Sequence, residues 1–194
     1  MIRLLRLTIT VVLVAVGLSA CSGGKDAVDQ NAGGQYRFVS AQQRGTTIKP
    51  ADRKATGPVT GTLLDGGEFR LADLKGKVVV INFFASWCAP CQTETPNFAV
   101  LYREVKAQGI EFVGVDAKDT SKSAASAFVR DRGVTYPVVY DEKAKTAVEL
   151  GNVPSAALPF TVVVDKQQRV SAVYATAVQP ADLRPVLNSL AAES

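Results

Sequence analysis

The stretch KVVVINFFA, residues 77–85, restricts the fold more than any other part of this sequence. It is a continuous apolar run rich in β-branched residues, not an alternating one, which is the pattern of a central strand covered on both faces. The residues after it predict a helix from about Cys88 to Gln108, with Pro96 as a kink and Gly109 as its stop. IEFVGVD (110–116) is a second buried strand. Strand, helix and strand form a βαβ unit, hence a parallel pair joined by a right-handed crossover.

Downstream, SKSAASAFVRDRG reads as a helix, PVVYD as a strand and EKAKTAVELG as a helix ending at Gly151. FTVVVD (160–165) and RVSAVYA (169–175), joined by a turn at KQQ, predict an antiparallel hairpin. A last helix is expected near 181–191, with Asp182 as its N-cap and Pro185 in its first turn. Upstream, YRFVS (36–40) and TTIK (46–49) flank AQQRG as a hairpin, and PVTGTLLDGGEFRL gives a second pair of strands turning at Asp65-Gly66-Gly67. The expected architecture is α/β: a mixed central sheet flanked by helices, with an inserted strand–helix segment and an extra N-terminal β-hairpin. The order of elements resembles a thioredoxin-like fold.

The first residues carry a different message. Arg3 and Arg6 precede an apolar run from Leu7 to Leu18, the layout of an export signal. The run is too short for a permanent anchor, since about 20 apolar residues are needed to span a bilayer. Leu18-Ser19-Ala20-Cys21 resembles the lipobox of bacterial lipoproteins. That resemblance implies cleavage before Cys21 and a lipid anchor on its thiol, with the two chains that stable anchoring requires. The expected organisation is a signal peptide over 1–20, a Gly/Ser-rich flexible tether over 21–35 and one folded domain over 36–194, held on the outer face of a bacterial cell membrane. Removing residues 1–20 takes away two arginines and lowers the formal net charge of +4 by two. No run of lysine or arginine exceeds two, so a nucleic-acid partner is not indicated.

With Cys21 assigned to the anchor, Cys88 and Cys91 remain. As a structural staple their bridge would be poor, because closing so short a loop constrains the unfolded chain little. Zinc would need two further soft or imidazole ligands, and the chain has no histidine and no third free cysteine. No metal and no bound cofactor is therefore expected, and thiol–disulfide exchange is the chemistry left. At a helix start Cys88 would meet free backbone N–H groups and the positive end of the helix dipole, which stabilise a thiolate. It is expected to be the exposed, attacking thiol, and Cys91, one turn further in, the resolving one. Glu94 follows Cys91 by three residues and shares its helical face. It is either the acceptor of the resolving thiol's proton or a solvated carboxylate. Trp87 is either a core residue or a platform for substrate contact.

The stretch VVVINFFASWCAPCQTETP resembles the TlpA/ResA/DsbE-like membrane-facing thiol–disulfide oxidoreductases of the thioredoxin superfamily, and the likeness extends over roughly residues 57–191. The resemblance implies that Cys88 is the nucleophile, Cys91 the resolving cysteine, Pro96 the helix kink and Glu94 a proton-handling group. General thioredoxins carry a buried aspartate where this chain has Asn82, and an asparagine cannot exchange protons, so Glu94 is the main candidate acid. The fold family also places a cis-proline opposite the cysteine pair. Of Pro137, Pro154 and Pro159, the last directly precedes FTVVVD and is assigned that place. Leu158 would then offer its backbone to an extended substrate chain.

The function implied is reduction of disulfides in exported proteins, most typically apocytochrome c before haem attachment, with re-reduction by a membrane thiol carrier. The same residues would serve an oxidase that folds exported proteins. A thiol peroxidase is a third reading, although Ala85 stands three residues before Cys88, where peroxidatic cysteines usually have Thr or Ser. A lipoprotein that uses the cysteines only as a redox-gated binding contact is a fourth.

Overall fold

The computed structural model describes residues 46–151 and 157–193. The expected signal segment, Cys21, the tether, the strand at 36–40 and Pro154 lie outside them.

The elements are β1 (Thr46–Thr47), β2 (Thr60–Thr62), β3 (Glu68–Arg70), β4 (Val78–Phe84), α1 (Ala89–Val105), β5 (Ile110–Ala117), α2 (Lys122–Asp131), β6 (Val138–Asp141), α3 (Lys145–Glu149), β7 (Phe160–Val164), β8 (Val170–Tyr174) and α4 (Pro180–Ala192). The main sheet runs β1-β8-β7-β4-β5-β6. Its β4, β5 and β6 are parallel, while β7 and β8 are antiparallel to their neighbours. All seven residues of β4 are buried, as its unbroken apolar run requires. The mixed sheet, the βαβ unit, the inserted strand and helix and the closing hairpin and helix stand as the sequence predicts.

α1 buries Cys91, Glu94, Thr95, Phe98, Ala99, Leu101, Tyr102 and Val105, the stripe that i, i+3 and i+4 spacing gives. Phe98 meets Phe112 of β5 edge-on with ring centroids 5.8 Å apart. Each such buried ring contributes roughly 1.5–3 kcal/mol. Pro96 lies inside α1, and the chain leaves the helix through a 3-10 turn to Gly109, whose φ of 77° is the left-handed stop.

Three elements differ from expectation. The strand read at 46–49 is only Thr46–Thr47 and pairs with Val173 and Ala172 of β8, so it borders the main sheet. The β2–β3 hairpin forms as expected, and Leu63 and Leu64 bond to Val139 and Val138, covering the outer edge of β6. The helix read over 142–151 is confined to Lys145–Glu149, because both carboxylate oxygens of Asp141 accept the N–H groups of Lys145 and Thr146 at 2.9 and 2.7 Å. That cap fixes where the first turn begins. Finally, Asp182 is not the N-cap of α4. Gln179 is, followed by Pro180, whose missing N–H costs nothing at that position. Pro185 therefore sits inside the helix, beyond the first turn, held there by buried Leu183, Leu187 and Leu190.

Candidate redox site

The buried strand β4 ends at Phe84, and three residues later Cys88 caps α1. Cys88 and Cys91 are joined by a disulfide with Cα atoms 5.2 Å apart. Cys88 Sγ accepts the backbone N–H of Cys91 at 3.4 Å, so this sulfur lies where the helix gathers its unpaired donors and positive dipole end. Cys88 is 4% exposed and Cys91 0%. The order is the expected one, but Cys88 is buried rather than exposed in the disulfide form. Trp87 itself is 60% exposed, which removes the core reading; its indole Nε1 donates to the carbonyl of Lys118 at 3.4 Å.

Glu94 is 1% exposed, which overturns the solvated reading. Its Oε2 accepts from Asn82 Nδ2 and its Oε1 from the backbone N–H of Val178, both at 2.8 Å. Burial pushes its pKa up to about 7, against the opposing pull of those two hydrogen bonds. Asn82 also donates to Thr161 Oγ1 at 3.0 Å, while its Oδ1 has no partner among the described residues. Nearby, the buried Tyr136 hydroxyl likewise lacks a partner, and its pKa is driven well up by burial, with Glu94 adding to the effect. Val178 also lines a cavity of about 290 Å³ with Tyr174, Gln179 and Asp182.

The Leu158–Pro159 bond is cis, the only cis bond among the described residues, so Pro159 rather than Pro137 matches the expected position. Phe160, the next residue, pairs with Phe83 of β4, their rings stacked 4.0 Å apart. Pro159 and half-buried Leu158 thus stand at the end of the sheet from which the cysteine loop departs.

Sequence reading missed a second acidic group at this end. Asp119 is 3% exposed and accepts the backbone N–H of Ser86 at 2.7 Å and its hydroxyl at 3.0 Å. Asp116 is fully buried, with no hydrogen-bond partner for either oxygen among the described residues. Its burial, then the neighbouring Asp119, push its pKa up to about 8. The signal was present as an aspartate near the end of a strand whose inner residues, Phe112 to Val115, are apolar. Among the described residues no three or more histidine, cysteine, aspartate or glutamate side chains converge as metal ligands would.

A disulfide at a helix N-terminus, with a buried carboxyl of raised pKa on the same helix, can exchange with thiols and, once reduced, with other disulfides, with a group at hand to take the accompanying proton. The chain is similar to known proteins in sequence and fold. The model of the AhpC/TSA family matches residues 53–173. The thiol-disulfide oxidoreductase ResA of Bacillus thuringiensis is 38% identical over 109 residues, covering 56% of this chain and 61% of that protein, so the chain spans less than two thirds of that relative's length. A DsbF homologue from Corynebacterium diphtheriae superposes with a TM-score of 0.73 at 36% identity, covering 78% of this chain and 96% of the other. A secreted thiol-disulfide isomerase from Corynebacterium glutamicum gives 0.76 at 33% identity, covering 82% and 99%. Among the described residues no helix is long and apolar enough to cross a membrane.

Proposed function

This chain belongs to the AhpC/TSA family, and on that premise we propose that it is an extracytoplasmic thiol–disulfide oxidoreductase that reduces disulfides of exported proteins, apocytochrome c foremost. The observation that carries the reading is the Cys88–Cys91 disulfide at the start of α1 with buried Glu94 one turn beyond it.

In the reducing direction the Cys88 thiolate attacks a substrate disulfide, forming a mixed disulfide and releasing one substrate sulfur as a thiolate. Cys91 loses its proton to Glu94 and attacks Cys88 Sγ. The second substrate sulfur leaves, and the enzyme is left with the Cys88–Cys91 disulfide. Two electrons have passed to the substrate, and the two thiol protons follow to its sulfurs. Glu94 suits this role because a pKa near 7 lets it both take and return the proton close to neutrality. Trp87 and the backbone of Leu158 beside Pro159 form the rim on which an extended substrate segment lies. A membrane thiol carrier would reduce the disulfide again, and a lipid on Cys21 would keep the domain near that donor.

The reduction potential of the Cys88–Cys91 pair tests the direction. The full chain in detergent is equilibrated in glutathione or dithiothreitol buffers and its free thiols are trapped. A value near that of thioredoxin, about −270 mV, supports the reductant; one near that of DsbA, about −120 mV, overturns it in favour of an oxidase for folding exported proteins.

A further inference from the structure

We propose that Asp116 and Asp119 act as a carboxyl–carboxylate pair sharing one proton, a latch under the loop that presents Trp87 and Cys88. The proposal deepens the redox reading above and rests on it, with both aspartates as positioning residues.

The loop after β5 grips the two residues that precede Cys88. Asp119 holds Ser86 through its backbone N–H and its hydroxyl, and the carbonyl of Lys118 holds the Trp87 indole. Lys118 has a φ of 66°, a left-handed turn that re-aims the chain between Asp116 and Asp119. The grip is itself braced: Tyr140 donates its hydroxyl to the Asp119 carbonyl at 2.9 Å, and the N–H of Lys118 bonds to the Asp141 carbonyl at 3.2 Å. From the other side Gln92 of α1 donates to the Ser86 carbonyl at 3.1 Å.

Asp116 is the penultimate residue of β5, in register with Phe84 of β4 and Tyr140 of β6. A buried carboxylate without a donor is costly, and Asp116 has none among the described residues. As two ionised groups Asp116 and Asp119 repel; with a proton, Asp116 becomes a donor and Asp119 its acceptor, which has lone pairs to spare beyond the two Ser86 bonds. Burial and the Asp119 charge both favour that proton. The ionisable groups around the pair are Lys118, which lies between them in the chain, and Tyr140 from β6, with Glu142 behind it, while Phe84 of β4 brings no charge. Glu94 and the two thiols of the reduced state stand on α1. Once Asp116 loses its proton, two like charges lie under the loop and its hold on Ser86 and Trp87 slackens.

Trp87 is the only tryptophan in the chain, so its emission reports on the loop directly. The experiment follows the emission of the full chain in detergent, in the disulfide form, from pH 5 to pH 9.5. The expected wild-type result is a step near pH 8 that survives in Glu94→Gln, disappears in Asp116→Asn and is flat at the high-pH level in Asp119→Asn. A wild-type profile without the step, or a step of unchanged size in folded Asp116→Asn, overturns the latch. Should Asp116→Asn fail to fold, Asp119→Asn decides: a full-sized step there overturns it. In the reduced form, alkylation of Cys88 by iodoacetamide should follow two ionisations in the wild type and lose the one near pH 8 in Asp116→Asn. The two readings fail differently: a chain that exchanges no disulfide yet keeps the step sinks the redox function, whereas active exchange without the step sinks the latch alone.

Discussion

The two ends of the central sheet bury charge in opposite ways. At the end away from the cysteines, Arg53 is 7% exposed and bonds to Asp165 at 3.2 Å and to Glu193 at 2.9 Å, while Arg169 bonds to the same Asp165. Both of these carboxylates meet a cation: the Glu193 pKa is lowered by its bond to Arg53, and that of Arg53 is raised by Glu193. At the cysteine end Glu94 and Asp116 are at least as buried, no ion pair is formed by either among the described residues, and the pKa of each is driven upward by burial. The same fold therefore ties one set of acids to arginine and buries another without a cation beside it among the described residues.

The largest effect should come from breaking the paired end. Arg53→Met leaves Asp165 and Glu193 without their shared guanidinium and should cost about 4 kcal/mol in urea denaturation. Disulfide exchange at matched folded concentration should stay unchanged; a parallel loss of exchange would show that the two ends are not independent.

Next is the pH dependence of stability. Folding raises the Asp116 pKa from its ordinary 3.8 to about 8 and that of Glu94 from 4.5 to about 7, so both bind protons in the native chain that the unfolded chain has released. Their contribution is fully present below pH 4 and is lost as pH rises through about 7 for Glu94 and about 8 for Asp116. Between pH 5 and pH 8.5, Asp116→Asn should gain on the wild type by on the order of 3 kcal/mol, read as the difference between their urea midpoints. A constant difference would mean that Asp116 is ionised throughout.

The smallest effect sharpens the comparison at the level of rate. Glu94→Gln should slow exchange roughly 100-fold near neutral pH and remove the ionisation near pH 7 from the rate profile. An unchanged profile would take Glu94 out of the mechanism.

Much of this was legible because it is local. The unbroken run at 77–85 fixed β4 as central, and the Cys88, Cys91 and Glu94 spacing placed all three along one face at the start of one helix. What escaped depends on distant pairing. Whether Glu94 is solvated or buried turns on Val178, 84 residues later, folding over it. The Arg53–Glu193 tie spans 140 residues, and the Asp119 grip on Ser86 spans 33. The α3 start was misread because the capping side chain is Asp141, the last residue of the preceding strand, rather than the residue adjoining the helix.

Glu94 takes one donor from the strand beneath it and the other from the Val178 backbone, and this bears on how the site could be moved to another scaffold. Grafting residues 82–96 onto a host of similar shape would carry the cysteines, Asn82 and Glu94 together. It would leave behind the amide that answers the second oxygen, so the transplant would inherit a nucleophile with an unsupported acid. A working transfer needs the segment around residue 178 as well, making the portable unit two pieces of chain rather than one motif.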